Sequence, residues 1–247
     1  MYFPEGFDLR EAFLLSELVS TAYDMQSQWK EQDKPRPDKF EWIPKGPNLN
    51  YSKPLWGTDR LLYFFHEHEP YAFIATGSDG TAYLVFRGTD SDADWVENLK
   101  FDQIDYTFAP GFGKTNQGFT SVYSSMSADI LDALSGLTSV KRLLISGHSL
   151  GSALSTLAVP DIYNNLARPE DFEMIHCNFA SPRTGDQSFA AALCRSNGFS
   201  SILCCISGWN RDDTCRPIGL RAFGAKRRSG MGRGGCQFSL GISEVKT

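Results

Sequence analysis

The sequence predicts an α/β fold in which a mainly parallel central sheet is flanked by helices. Two observations carry that expectation. Beyond residue 119 helical and strand-like stretches alternate, and strands joined through helices pair in parallel by right-handed crossovers. The chain is also long and apolar enough to build such a core. Its 247 residues, 41% hydrophobic and 21% charged, need neither disulfides nor a structural metal for stability. No internal repeat is present.

The elements follow in order. Between Asp8 and Asp24 the apolar residues Phe13, Leu14, Leu18, Val19, Ala22 and Tyr23 recur at intervals of three and four, the period of an amphipathic helix. Asp8 is placed to cap that helix, and Glu11 follows three residues later. Residues 26–57 are polar, proline-containing and punctuated by tryptophan, and read as a long connection. Leu61 to Phe65 and Tyr71 to Thr76 are strand-like. The turn chemistry of Gly77-Ser78-Asp79-Gly80 then joins the second of them to Thr81–Arg87 as an antiparallel hairpin. Phe119 to Leu137 reads as one helix, carried by Val122, Tyr123, Met126, Ile130, Leu131 and Leu134. Lys141 to Ser146 is a short apolar strand that stops at glycine. Ala153, Leu154, Leu157 and Ala158 mark a helix after Ser149, and Glu173 to Phe179 marks another strand.

A net charge of −5 and a pI near 5.4 argue against a nucleic-acid binder. Mean hydropathy is −0.29, and no uninterrupted apolar run approaches the roughly 18 residues of a transmembrane helix. Met1 to Gly6 carries no basic stretch before an apolar run, so no secretory signal is read and a cytoplasmic location is expected. The charge is uneven. Residues 1–194 hold 15 of the 24 Lys and Arg and 26 of the 29 Asp and Glu, a net of −11, whereas 195–247 carry a net of +6, nine glycines and Cys204, Cys205, Cys215 and Cys236. Residues 1–194 therefore read as one compact domain. Residues 195–247 read as an atypical basic tail, poorly ordered through Gly224 to Gly235, where almost nothing could bury a face. Cys177 and Cys194 complete the set. With no CxxC pair and no histidines at zinc spacing, free thiols in a reducing compartment are expected, and neither metal nor cofactor.

The most informative residues are Gly147-His148-Ser149-Leu150-Gly151. They fit G-x-S-x-G, in which a serine on a sharp strand-to-helix turn is pushed clear of the sheet, and the glycines leave no Cβ against the adjoining strand and helix. The preceding Leu143, Leu144 and Ile145 and the following small-residue helix supply the required context. That helix turns its first amides toward the serine, where negative charge is stabilised.

With these residues in view, the chain resembles the class 3 lipases, the family that includes the filamentous-fungal triacylglycerol lipases. The resemblance rests on Tyr83 to Leu99 (YLVFRGTDSDADWVENL), Gly118-Phe119, GHSLG, and Phe179 to Ala190 (FASPRTGDQSFA), in that order. It implies an α/β-hydrolase fold, Ser149 as nucleophile, and an oxyanion hole formed by Thr89 and the Leu150 N–H. It also implies a lid over residues 91–99, whose Trp95, Val96 and Leu99 would cover the site in water and touch a lipid surface transiently. His148 is read as structural, beside the elbow. The substrate implied is a lipid or another small carboxylic ester.

Serine becomes a nucleophile when a histidine takes its proton and an acid orients that histidine, and in this fold both follow the serine. The four histidines are His66, His68, His148 and His176. His176 lies on a strand about five residues below the catalytic edge and reads as a core residue, while His66 and His68 read as a solvated turn. For the acid, Asn210-Arg211-Asp212-Asp213 with Pro217 partly matches the family's segment, making Asp212 and Asp213 candidates; Asp186 reads as structural. Two functions follow: a serine ester hydrolase acting on acylglycerols or related esters, or a catalytically impaired relative that binds lipid or a protein. The departure from the family near Leu193 coincides with the change in composition, as a shifted reading frame would produce. Translating the other two frames after codon 194 is expected to yield a strand, an aspartate and a late histidine; if neither frame yields that set, a natural replacement of the segment is left.

Overall fold

The computed structural model describes residues 9–58, 68–89, 102–167, 172–195 and 200–204. Helix α1 (Leu9–Glu31) is followed by strands β1 (Asn50–Tyr51), β2 (Leu55–Thr58), β3 (His68–Thr76) and β4 (Thr81–Phe86), and by a small hairpin, β5 (Gln103–Asp105) with β6 (Lys114–Asn116). Then come α2 (Gln117–Ser124), α3 (Ser127–Ser135), β7 (Arg142–Gly147), α4 (Leu150–Asn165), β8 (Glu173–Phe179), α5 (Gln187–Arg195) and β9 (Ser200–Cys204). The main sheet runs β1-β3-β4-β7-β8-β9, with β2 also on β3. It is mixed: β4, β7, β8 and β9 are parallel, and the pairings of β1, β2 and β4 with β3 are antiparallel. The expected hairpin is there, with Ala72 opposite Phe86 and Thr76 opposite Ala82.

Successive side chains of a strand point to opposite faces, and the core divides accordingly. Ala82, Leu84 and Phe86 of β4, with Leu143 and Ile145 of β7, pack beneath α2, α3 and α4. Tyr83, Val85 and Leu144 face the other way, against Leu15, Leu18, Val19, Ala22 and Met25 of α1. Helix α4 is buried at every position from Leu150 to Ile162, as a helix apolar all round must be. An arginine ties the lower edge together: Arg142 of β7 pairs with Glu11 of α1 and, at 2.6 Å, with Glu173 of β8.

Several elements differ from their sequence reading. Helix α1 continues seven residues past Asp24, because Met25, Gln26, Gln28 and Trp29 extend its buried face. The supposed connection thus contains the end of α1 and strands β1 and β2. The single helix expected over 119–137 is two, broken at Ser125, whose hydroxyl donates to the Val122 carbonyl and accepts the Thr58 N–H. His68 is not in a turn. It opens β3 opposite Thr58, with its ring 5.4 Å from that of Trp56. Strand β9 continues the sheet in parallel beyond residue 194. Leu61 to Phe65, His66 and the segment 224–235 lie outside the described residues.

A buried carboxylate fixes α4 from the side away from the sheet. Asp161, 1% exposed, accepts from the Tyr123 hydroxyl at 2.6 Å, the Ser127 hydroxyl at 2.5 Å and Asn165 Nδ2 at 2.7 Å. Burial, then the Asp161 charge, push the Tyr123 hydroxyl well above its ordinary pKa, so it stays protonated and donates. Asp161→Ala strands three donors and is expected to lower the unfolding free energy by about 3 kcal/mol. Urea titration of the two proteins measures it, and a difference below about 1 kcal/mol would contradict this account of the anchor.

Candidate active site

Strand β7 ends at Gly147 and α4 starts at Leu150, so the chain reverses direction over two residues. Ser149 takes the strain, with φ 52° and ψ −119°, a sparsely populated conformation that costs a non-glycine residue on the order of 1–3 kcal/mol. Its N–H donates to the Phe179 carbonyl at 3.1 Å, which ties the turn to the end of β8. The half-buried Ser149 side chain makes no capping bond to α4. Leu150, fully buried, is the first residue of α4, where an N–H has no intrahelical acceptor.

The glycines of the motif have the steric role read from the sequence. A Cβ on Gly147 would run into the Gly151 backbone, and one on Gly151 would lie 2.5 Å from the Phe86 and Arg87 carbonyl oxygens. Helix α4 therefore rests directly on the end of β4. Because Phe86 pairs with Gly147, Arg87, Gly88 and Thr89 continue alongside the elbow. Gly88 has no room for a side chain either: a Cβ would meet the Tyr23 hydroxyl and the His148 carbonyl. Thr89 follows, half-buried.

His148 shares a 2.8 Å hydrogen bond through Nδ1 with the Tyr23 hydroxyl of α1, and burial lowers its pKa, so it is neutral near pH 7. Beneath the elbow lies a buried polar cluster. The Ser152 hydroxyl is 2.8 Å from the Gly147 carbonyl and 2.7 Å from that of Phe179, joining the ends of β7 and β8. Asn178 Nδ2 donates to the Ser152 carbonyl at 2.9 Å. The Ser155 hydroxyl is 2.6 Å from Asn178 Oδ1 and 3.2 Å from His176 Nε2. His176 is sealed in the core at 2% exposure, and Asp186 caps α5 by accepting the Phe189 N–H at 2.7 Å.

Of the residues singled out in the sequence, Ser149, Leu150 and Thr89 are thus drawn to one edge of the sheet. Residues 91–99, with Trp95, Val96 and Leu99, and the candidate acids Asp212 and Asp213 lie outside the described residues. Among the described residues there is no cluster of three or more side chains suited to a metal ion, and no helix is long and apolar enough to cross a membrane. Sequence reasoning passed over Arg87. Its signal was a charge ending the apolar run Tyr83 to Phe86, and it is 1% exposed.

A family model, Lipase (class 3), matches residues 83–207, half of the chain. Among curated proteins, a lipase of Rhizomucor miehei is 32% identical over 124 residues, covering 48% of this chain and 34% of the relative. A phospholipase A1-II 3 of Oryza sativa subsp. japonica is 31% identical over 165 residues, covering 53% and 39%. The chain thus spans little more than a third of the length of these relatives. Among solved structures, the propeptide complex of the Rhizomucor miehei lipase aligns over 80% of this chain and 61% of its own, with a TM-score of 0.55 and 24% identity. Lipase II from Rhizopus niveus aligns over 80% and 72%, with a TM-score of 0.55 and 22% identity. The structural likeness is one of fold.

The cluster under the elbow gives a pH signature. Burial lowers the His176 pKa from its ordinary 6.5 to about 4, against a smaller opposing effect of the Asn178 hydrogen bond. The folded chain leaves His176 neutral where the unfolded chain protonates it, so stability is lost as pH falls from about 6.5 toward 4 and is unaffected above that window. Up to about 3 kcal/mol is expected to disappear over it. Urea titrations across that range should show a shallower acid-side slope in His176→Gln; identical slopes would place the loss elsewhere.

Proposed function

The chain belongs to the class 3 lipase family, and on that basis we propose that it is a serine ester hydrolase that cleaves acylglycerols or related carboxylic esters through an acyl-enzyme on Ser149. The observation that carries this reading is the Ser149 backbone at φ 52° between β7 and α4, a strained conformation of the kind that holds a serine hydroxyl clear of a sheet. The relatives' names, lipase and phospholipase A1, support lipid acyl esters as the substrate class.

In the proposed reaction the Ser149 Oγ bonds to the ester carbonyl carbon as its proton passes to a base, and the carbonyl electron pair moves onto oxygen. Thr89, through its N–H and hydroxyl, and the Leu150 N–H receive that oxyanion. Loss of one such donor costs about 10²–10³ in rate. Collapse expels the alcohol with a proton, and water then releases the acid from Ser149.

A second reading has one observation in its favour. Of the described histidines, His148 Nδ1 is bonded to Tyr23, His176 is sealed in the core, and His68 begins β3, two strands from β7. A chain that kept the elbow as scaffold would bind lipid or protein without turnover. Trace turnover does not separate the two, since a site that lacks its base retains roughly 10³–10⁴ over water. A fluorophosphonate probe does. Stoichiometric labelling that vanishes in Ser149→Ala is the expected result, and a folded, unlabelled protein would favour the binding relative.

A further inference from the structure

Arg87 is a full positive charge placed immediately after β4 with 1% of its surface exposed. Each of its three nitrogens donates to a protein acceptor. Nε donates to the Pro70 carbonyl at 2.8 Å, Nη2 to Glu69 Oε2 at 2.5 Å, and Nη1 to the Gly88 carbonyl at 2.8 Å. The guanidinium lies 4.2 Å from the centroid of the Tyr71 ring. Glu69 is itself held, at 3.2 Å, by Gln26 Nε2 of α1. A buried ion pair is an expensive way to fill space, and an apolar side chain of similar volume is often as stable or more so. Packing is therefore a poor account of why a guanidinium stands here.

The bond to Gly88 offers a better one. The Gly88 carbonyl and the Thr89 N–H are two ends of one peptide unit, and no peptide bond in the described chain is cis. In a trans unit the C=O and N–H point in opposite directions. Holding the carbonyl toward the buried guanidinium therefore turns the Thr89 N–H away from it. A charge-assisted bond at the oxygen also polarises the amide and strengthens its N–H as a donor.

We propose that Arg87 is a positioning residue for the oxyanion hole, setting the direction and donor strength of the Thr89 N–H through the Gly88 carbonyl. It touches no substrate. Glu69 holds the guanidinium through Nη2, and α1 reaches the site through Gln26. The proposal rests on the hydrolase reading above, and its test separates the two.

The test divides phosphonylation of Ser149 by a fluorophosphonate into KI and kinact, with a thermal melt for each variant. In Arg87→Met, kinact is expected to fall about 10- to 100-fold while KI stays within about threefold, because the lost interaction acts on the developing oxyanion and not on ground-state binding. Arg87→Lys keeps the charge and one donor direction, and should restore part of that loss while remaining about three- to tenfold below wild type. Unchanged kinact in a folded Arg87→Met overturns the proposal, as does a loss carried entirely by KI. Should Arg87→Met fail to melt cooperatively, Arg87→Lys decides alone, and wild-type kinact in that variant overturns it. A wild-type chain that takes no label removes the hydrolase reading and this proposal together; a labelled wild type with indifferent variants removes only the proposal.

Discussion

Three stretches of backbone meet with no side chains between them where β7 becomes α4, and that close approach constrains the rest of the molecule. Gly147 lies against Gly151, Gly151 against the end of β4, and Gly88 against the His148 carbonyl. Helix α4 can begin only there, at a fixed height on the sheet. Its first turn is buried between the sheet and α2, so the reversal has to be completed within two residues. The strain this puts on Ser149 persists because the surroundings over-determine it: the Ser149 N–H is bonded to β8, and the Ser152 hydroxyl joins the carbonyl ends of β7 and β8.

Buried polar groups supply the precision that apolar packing alone does not. Asp161 pins the far half of α4 to α2 and α3, while Asn178, Ser155 and His176 pin its near half to β8. Arg87 does the same for the segment that leaves β4. In a low-dielectric interior each such bond is strong when made and costly when broken. A small rotation of α4 would therefore break several at once. The elbow is held on both flanks, by α1 through Tyr23 and by the parallel strands on either side of β7.

What the sequence disclosed and what it concealed follow one division. The parallel strands were legible because Leu143 to Ile145 and Met174 to Cys177 are buried on both faces and so are apolar at nearly every position. The elbow was legible because its glycines are demanded by backbone contacts that recur wherever a serine is set on such a turn. The end of α1, the break at Ser125 and the start of β3 at His68 were not. Each is decided by a partner distant in sequence: Trp29 packing edge-on to Trp56, the Thr58 N–H meeting Ser125, and Thr58 pairing with His68. Local periodicity carries no trace of those partners. Arg87 was visible as a charge closing an apolar run, and the peptide that it grips was not, since that depends on Glu69 and Pro70 across the hairpin.

The identity of the residue at the elbow bears on which function the chain performs. At φ 52° a glycine would sit without the steric penalty of a Cβ. If the turn were only a joint between strand and helix, glycine would relieve strain on the order of 1–3 kcal/mol at that position. Serine gains no capping bond in exchange, and its hydroxyl does not bridge the strands as that of Ser152 does. Among the described residues the hydroxyl thus makes no bond that offsets its conformation. It stands at the N-terminus of α4, where the helix dipole favours negative charge, and beside a peptide whose carbonyl is held by a buried guanidinium. Those surroundings suit the proposed nucleophile, whose Oγ bonds to a carbonyl carbon as its proton leaves and whose negative charge passes to the carbonyl oxygen.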